Sequence, residues 1–259
     1  MYSDDSDSHY NIDSEDDVPD FVDDDSSCIE EVEYDGSSKL AYTLKSVVWF
    51  IGDVMINAAI IIVLVIVIRH FIFSPFQVSG PSMCDTLNNF NDTCVHGNGE
   101  YIIVNKLLYF DLFGFSLFDY DRGDIIVFTP PEGDQGEYFI KRIIGLPGET
   151  VKIDDGYVYI YNDEYPEGFK LDEQYLNESN YGKTTSFVDS LDEFEVPENM
   201  YFVMGDNRRA SSDSRRCFGM TDCTEELAFL DSDLIEGKGW LVLWPLDRIR
   251  FVGGYDYGF

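Results

Sequence analysis

The alternation of apolar and polar positions divides the chain into three unequal parts. Residues 1–43 show no apolar periodicity, whereas Val47 to Ile68 is apolar apart from Gly52, Asp53 and Asn57. As a helix that run is roughly 33 Å long, enough for a hydrocarbon core of about 30 Å. Arg69, His70 and Phe71 follow it where a removable leader would have a small-residue cleavage site, so it reads as a retained span. From there the pattern shortens to β-branched and aromatic runs bounded by Gly, Pro or polar residues, which predicts strands. The runs are Phe73 to Ser79, Glu100 to Lys106, Asp124 to Phe128, Tyr138 to Gly145, Met200 to Met204 and Trp240 to Trp244. Val151 to Tyr161 reads as a hairpin turning on Asp154-Asp155-Gly156. Residues 162–195 are acidic, rich in Tyr and broken by Gly and Asn, which predicts an exposed insertion of low order. The expected fold class is mainly β. An antiparallel β domain at 70–259, with its insertion at 162–195, follows one transmembrane helix at 44–69 and an N-terminal tail at 1–43.

Charge adds to this picture. The formal net charge is -33, and residues 1–38 hold fifteen Asp or Glu with no Lys or Arg. Such a segment buries too little apolar surface to offset its ordering entropy, which predicts disorder. It also repels phosphate, so nucleic acid is excluded as a partner. Lys39 and Lys45 before the span outnumber Arg69 after it, a bias that favours a cytoplasmic N-terminus and an extracytoplasmic β domain. Cys84, Cys94 and His96 lack a fourth ligand and the short Cys-x-x-Cys spacing, so neither metal nor other cofactor is expected. Beyond the span lie Cys84, Cys94, Cys217 and Cys223. Two short disulfide loops and four unpaired thiols both fit this arrangement.

Candidate chemistry centres on Ser82. Gly80 and Pro81 before it permit a sharp turn that can lift a hydroxyl from a strand end. Lys141 stands among Phe139, Ile140, Ile143 and Ile144. If that strand buries the amine, desolvation lowers its pKa and supplies a neutral general base; an ordinary lysine there would reach out to solvent. In the polar loop Gly205 to Arg215, Asp213 and Arg215 are placed to pair and to fix Ser211 and Ser212.

Together these segments resemble the bacterial type I signal peptidases, the Ser/Lys-dyad leader peptidases of the S26 type, over most of residues 45–251. The resemblance is carried by Gly80-Pro81-Ser82-Met83-x-x-Thr86-Leu87, by Arg122-Gly123-Asp124-Ile125-Ile126-Val127-Phe128, by Lys141-Arg142-Ile143-Ile144-Gly145-Leu146-Pro147-Gly148-Glu149, and by Gly205-Asp206-Asn207-Arg208 through Ser211-x-Asp213-Ser214-Arg215. It implies an antiparallel β catalytic domain with Ser82 as nucleophile and Lys141 as general base. Ser211 would hydrogen-bond the Lys141 amine, and Asp213, Arg215 and Arg142 would support the site. The oxyanion donors are expected at the Ser82 N–H and around Gly80, where some relatives carry a serine hydroxyl that this chain lacks. The implied substrate is the signal peptide of an exported precursor, laid as an extended strand beside Val78 and Tyr138-Phe139-Ile140. Val78, Met83, Leu87, Phe139 and Ile140 are the expected substrate-binding residues, and membrane lipid is the second expected partner. Two departures stand out: Asp85 replaces the usual Pro, and Asn88 to Gly99 is longer than usual. The alternatives are a catalytically silent, membrane-tethered β domain that binds exported segments, and a LexA-like Ser/Lys autoprotease.

Overall fold

The computed structural model describes residues 36–91, 93–107, 119–131, 136–188 and 191–258. Of the tail at 1–43, expected to be disordered, residues 1–35 lie outside them. Helix α1 (Gly36–Phe71) begins earlier than the apolar pattern predicts, taking in residues 36–43 that read as tail. Its stretch Ala41–Phe71 is long and apolar enough to cross a membrane.

The strands that follow are β1 (Phe73–Ser79), β2 (Asn89–Phe90), β3 (Thr93–Cys94), β4 (Asn98–Asn105), β5 (Ile125–Phe128) and β6 (Phe139–Gly145). Next come β7 (Thr150–Asp154), β8 (Tyr157–Tyr161), β9 (Phe169–Lys170) and β10 (Glu193–Glu195). The chain closes with β11 (Met200–Met204), β12 (Leu230–Asp231), β13 (Ile235–Trp244) and β14 (Arg250–Phe251). The main sheet runs β1-β4-β13-β5-β6-β11-β12, with β14 beside β13, and every pairing is antiparallel. A second sheet runs β10-β7-β8-β9. Asp155 and Gly156 both have positive φ (46° and 83°) in the β7–β8 turn, as a two-residue hairpin of right-handed twist requires.

Two features of the main sheet open a cleft. Among the described residues β1 pairs only with β4, so its other edge is free. Strand β6 pairs with β5 from Phe139 to Arg142, but β11 reaches only Arg142, Ile143 and Gly145. The outer edge of residues 139–141 is therefore left open towards β1. Beneath lies a core of Val78, Met83, Leu87, Ile102, Val127 and Ile140.

The insertion at 162–195 differs from expectation. Leu171, Leu176, Val188 and Phe194 are buried, and so are Glu173, Asn180 and Thr184. Its polarity is that of a packed segment whose inward groups pair. Both disulfide loops form, Cys84 with Cys94 and Cys217 with Cys223.

Candidate active site

The segment after Gly80 coils tightly. Gly80 has φ +84°, Cys84 N donates to the Pro81 carbonyl at 3.0 Å, and Leu87 N donates to that of Met83 at 2.8 Å. This turn sends Met83 and Leu87 into the core, at 1% and 0% exposure, and leaves Ser82 in the cleft wall. On β6, Lys141 is buried at 3% exposure. Its Nζ lies 3.1 Å from Ser82 Oγ and 2.8 Å from the Ile140 carbonyl, and 5.0 Å over the Phe139 ring. Burial pushes the amine down to about 8, although the charges of Asp213 and Asp206 pull it up. A neutral amine within reach of a hydroxyl can take its proton.

The surrounding groups fix both partners. Arg142, next to Lys141, makes a two-point pair with Asp206 (Nε to Oδ1 2.9 Å, Nη2 to Oδ2 2.8 Å) and donates to the Gly123 carbonyl at 2.7 Å. Thr86 donates its hydroxyl to the same Asp206 at 2.5 Å, which ties the serine turn to the 205–207 turn. Asn207 N donates to the Ser82 carbonyl at 3.0 Å. Asp213 receives Arg215 Nη2 at 2.7 Å and Gly205 N at 3.0 Å. Burial would raise the Asp213 carboxyl, but the Arg215 guanidinium outweighs it and holds it below the usual range. Arg122 bridges the Ile144 carbonyl (2.5 Å) and Glu149 (2.6 Å), so two of the sequence blocks brace one another behind the site.

Two expectations need correction. Ser211 is buried at 4% exposure, yet its hydroxyl makes no hydrogen bond to Lys141. The amine is taken up by Ser82 and the Ile140 carbonyl, and Ser211 Oγ turns into the space that Gly205, lacking a side chain, leaves open. It lies near enough to Asp213 to help hold that carboxyl down, without the geometry of a good hydrogen bond. The second correction concerns the cleft of roughly 370 Å³, whose apolar wall is Phe76, Val78, Ile102, Val127 and Ile140, with Phe139 beside Lys141. Val78, Phe139 and Ile140 line it. Met83 and Leu87 do not, because the turn points them the other way.

Sequence reasoning missed three partners. Asp206 sat inside a quoted motif, but its pairing with Arg142 and Thr86 spans 64 and 120 residues. Arg208 pairs with Glu173 from the insertion, and Tyr175 lies against Arg142 with its ring 4.1 Å from the guanidinium. Asp85, the residue that replaces Pro, has φ +104° and accepts from Asn177 N (3.2 Å) and Nδ2 (2.7 Å). Proline cannot adopt that φ, so this backbone admits no proline at residue 85.

An open sheet edge beside a hydroxyl and a desolvated amine is the arrangement of a serine hydrolase that uses lysine in place of histidine. Residues 51–244 match the family described as signal peptidase, peptidase S26, and the chain belongs to that family. It is 37% identical over 195 residues to signal peptidase I S of Bacillus subtilis strain 168, covering 74% of this chain and 88% of that protein. Signal peptidase I P of Bacillus subtilis subsp. natto is 34% identical over 194 residues, covering 74% and 88%. A crystal structure of a signal peptidase I from Enterococcus faecalis V583 is 35% identical, covers 47% of this chain and 97% of that one, and superposes with a TM-score of 0.36.

Proposed function

We propose that this protein is a membrane-bound serine endopeptidase that removes N-terminal signal peptides from exported precursors, with Ser82 as nucleophile and Lys141 as general base. The observation that carries the reading is the 3.1 Å approach of a buried lysine amine to a serine hydroxyl at an open sheet edge. Neutral Lys141 takes the Ser82 proton as Oγ attacks the scissile carbonyl carbon, giving a tetrahedral oxyanion. The protonated amine then gives that proton to the departing nitrogen as the C–N bond breaks. A water attacks the resulting acyl-serine, Lys141 takes the proton from water, and it passes to Ser82 Oγ as the peptide acid leaves.

The Ser82 N–H is one oxyanion donor, and the backbone near Gly80 is where the second belongs. Arg142, Asp206, Asp213 and Arg215 keep the amine and the serine turn in place. Ser211 supports the site by packing against Gly205 and beside Asp213. The substrate strand fills the gap between β1 and residues 139–141, with small side chains against Val78, Ile102 and Ile140. Helix α1 holds the site at lipid, with the N-terminus cytoplasmic and the β domain on the extracytoplasmic face. The acidic tail accords with an absence of nucleic-acid binding.

The test is incubation of the purified full-length protein in detergent with a precursor whose signal peptide ends Ala-x-Ala, mapping the cut by mass. Cleavage after the second Ala, lost in Ser82→Ala and in Lys141→Ala while both still melt cooperatively, is the expected result. Retained cleavage by Lys141→Ala would overturn the assigned base. A wild-type protein that binds the precursor without cutting it would favour the tethered binder.

A further inference from the structure

The ladder between β1 and β4 carries a step beside the cleft. Gln77 pairs with Tyr101 and Ser79 with Asn98, so Val78 faces two residues, Gly99 and Glu100, on the other strand. Such a bulge leaves backbone groups unpaired unless something fills the gap. The side chain of Asn88 fills it. Its Oδ1 accepts Glu100 N at 2.8 Å, and its Nδ2 donates to the Val78 carbonyl at 3.2 Å and the Gly80 carbonyl at 3.1 Å. Asn88 N in turn donates to Glu100 Oε2 at 3.0 Å, and Arg250 holds that carboxylate at 2.6 and 2.9 Å. The amide behaves as one inserted peptide unit, donor on one side and acceptor on the other. Room for it exists only because residue 99 is Gly: a Cβ there would lie 2.0 Å from Asn88 Oδ1. Asn88 is 1% exposed and has φ +59°, a conformation Asn tolerates better than most residues.

We infer that Asn88 is a specificity-positioning residue: by holding the Val78 and Gly80 carbonyls it sets the depth of the cleft wall next to Ser82, and so the size of the substrate side chain admitted just before the cut. Asn88 touches no reacting atom and acts through the backbone of residues 78–80. This rests on Ser82 and Lys141 being the cleaving pair. With the amide donor removed, the two carbonyls lose their tether and the wall gives way. A site whose wall yields discriminates poorly between side chains that differ by a few methyl groups, a distinction worth roughly 10–200-fold when the wall is rigid.

The experiment compares kcat/KM for two otherwise identical precursors, ending Ala-x-Ala and Ala-x-Val, in wild type, Asn88→Asp, Gly99→Ala and the double variant. The Ala-over-Val preference is expected to fall about tenfold in each single variant. The double variant should fall no further, because both substitutions remove the same bridge. An unchanged preference in variants that melt like wild type, or losses that add in the double, would overturn the inference. Should Asn88→Asp fail to fold, Asn88→Ala, which deletes the bonds without adding a charge, gives the same ratio. If wild type cuts neither precursor, the cleaving-pair reading fails, and the wall is read instead as the affinity of Ser82→Ala protein for the two peptides: loss of preference on Asn88→Ala supports the inference and an unchanged preference overturns it.

Discussion

Gly205 offers the sharpest single perturbation of the site. An alanine Cβ at this position would lie 2.3 Å from Ser211 Oγ, 2.5 Å from the Ser82 carbonyl oxygen and 2.6 Å from Ser211 Cβ. Ordinary contact begins near 3.4 Å, so the Ser82 carbonyl would have to retreat by about 0.9 Å. It is not free to do so, since Asn207 N holds it at 3.0 Å and Gly205 N is itself fixed to Asp213. Overpacking of this kind costs about 1–3 kcal/mol in stability, and misplacing a reacting group by about 1 Å costs on the order of 10²-fold in rate. Gly205→Ala is therefore expected to lose roughly 10²-fold in kcat/KM while still folding. The assay is precursor cleavage by active-site-titrated protein, with a thermal melt alongside. Adding Ser211→Gly removes the two side-chain contacts and leaves the Ser82 contact, so the rate loss should persist in the double variant. Wild-type kcat/KM in Gly205→Ala, or full recovery in the double, would refute the view that Gly205 sets the serine backbone.

Other outcomes follow from neighbouring contacts. Ser211→Ala should lower kcat by about tenfold or less, far short of the loss in Lys141→Ala, because the hydroxyl makes no hydrogen bond to the amine; a complete loss of cleavage would restore the expected Ser211–Lys141 bond. Asp85→Pro should destabilise the fold by about 1–3 kcal/mol in a denaturant melt, since φ +104° is closed to proline, whereas Asp85→Gly should cost less despite losing Asn177; equal costs would place the whole effect in the side-chain bonds. Lys141→Met should stabilise the fold below pH 8. The buried amine binds its proton less well folded (about 8) than unfolded (10.5), so wild type carries a penalty of roughly 3 kcal/mol below pH 8 that fades as pH rises to 10.5. A Lys141→Met gain that is the same at pH 7 and pH 10.5 would contradict that sign.

Much of this arrangement was legible in sequence, for physical reasons. Strand β11 begins and ends where the apolar pattern says, because Asn199 and Gly205 bound it sharply, and β1 ends where Gly80 follows it. The hairpin β7–β8 follows from Asp-Gly in its turn. The Ser82–Lys141 meeting was readable only through the resemblance, since no local rule brings together residues 59 apart. Side-chain direction inside an irregular turn was not readable, which is why Met83 and Leu87 were assigned to the cleft and prove to be core. The insertion misled for a related reason. Glu173, Asn180 and Thr184 look solvent-facing by composition, but Arg208 draws Glu173 and Thr184 inward, and burial of paired polar groups leaves no hydropathy signal.

The central claim is that Lys141 loses its proton in the folded protein near pH 8, well below the usual lysine range, and acts on Ser82 as a neutral base. The pH dependence of kcat/KM for precursor cleavage by wild-type protein tests it most directly. With the amine at about 8, kcat/KM should rise about tenfold per pH unit below pH 7 and level off above pH 9. A profile that stays flat from pH 6 to 9, or one that keeps rising until pH 10.5, would contradict it.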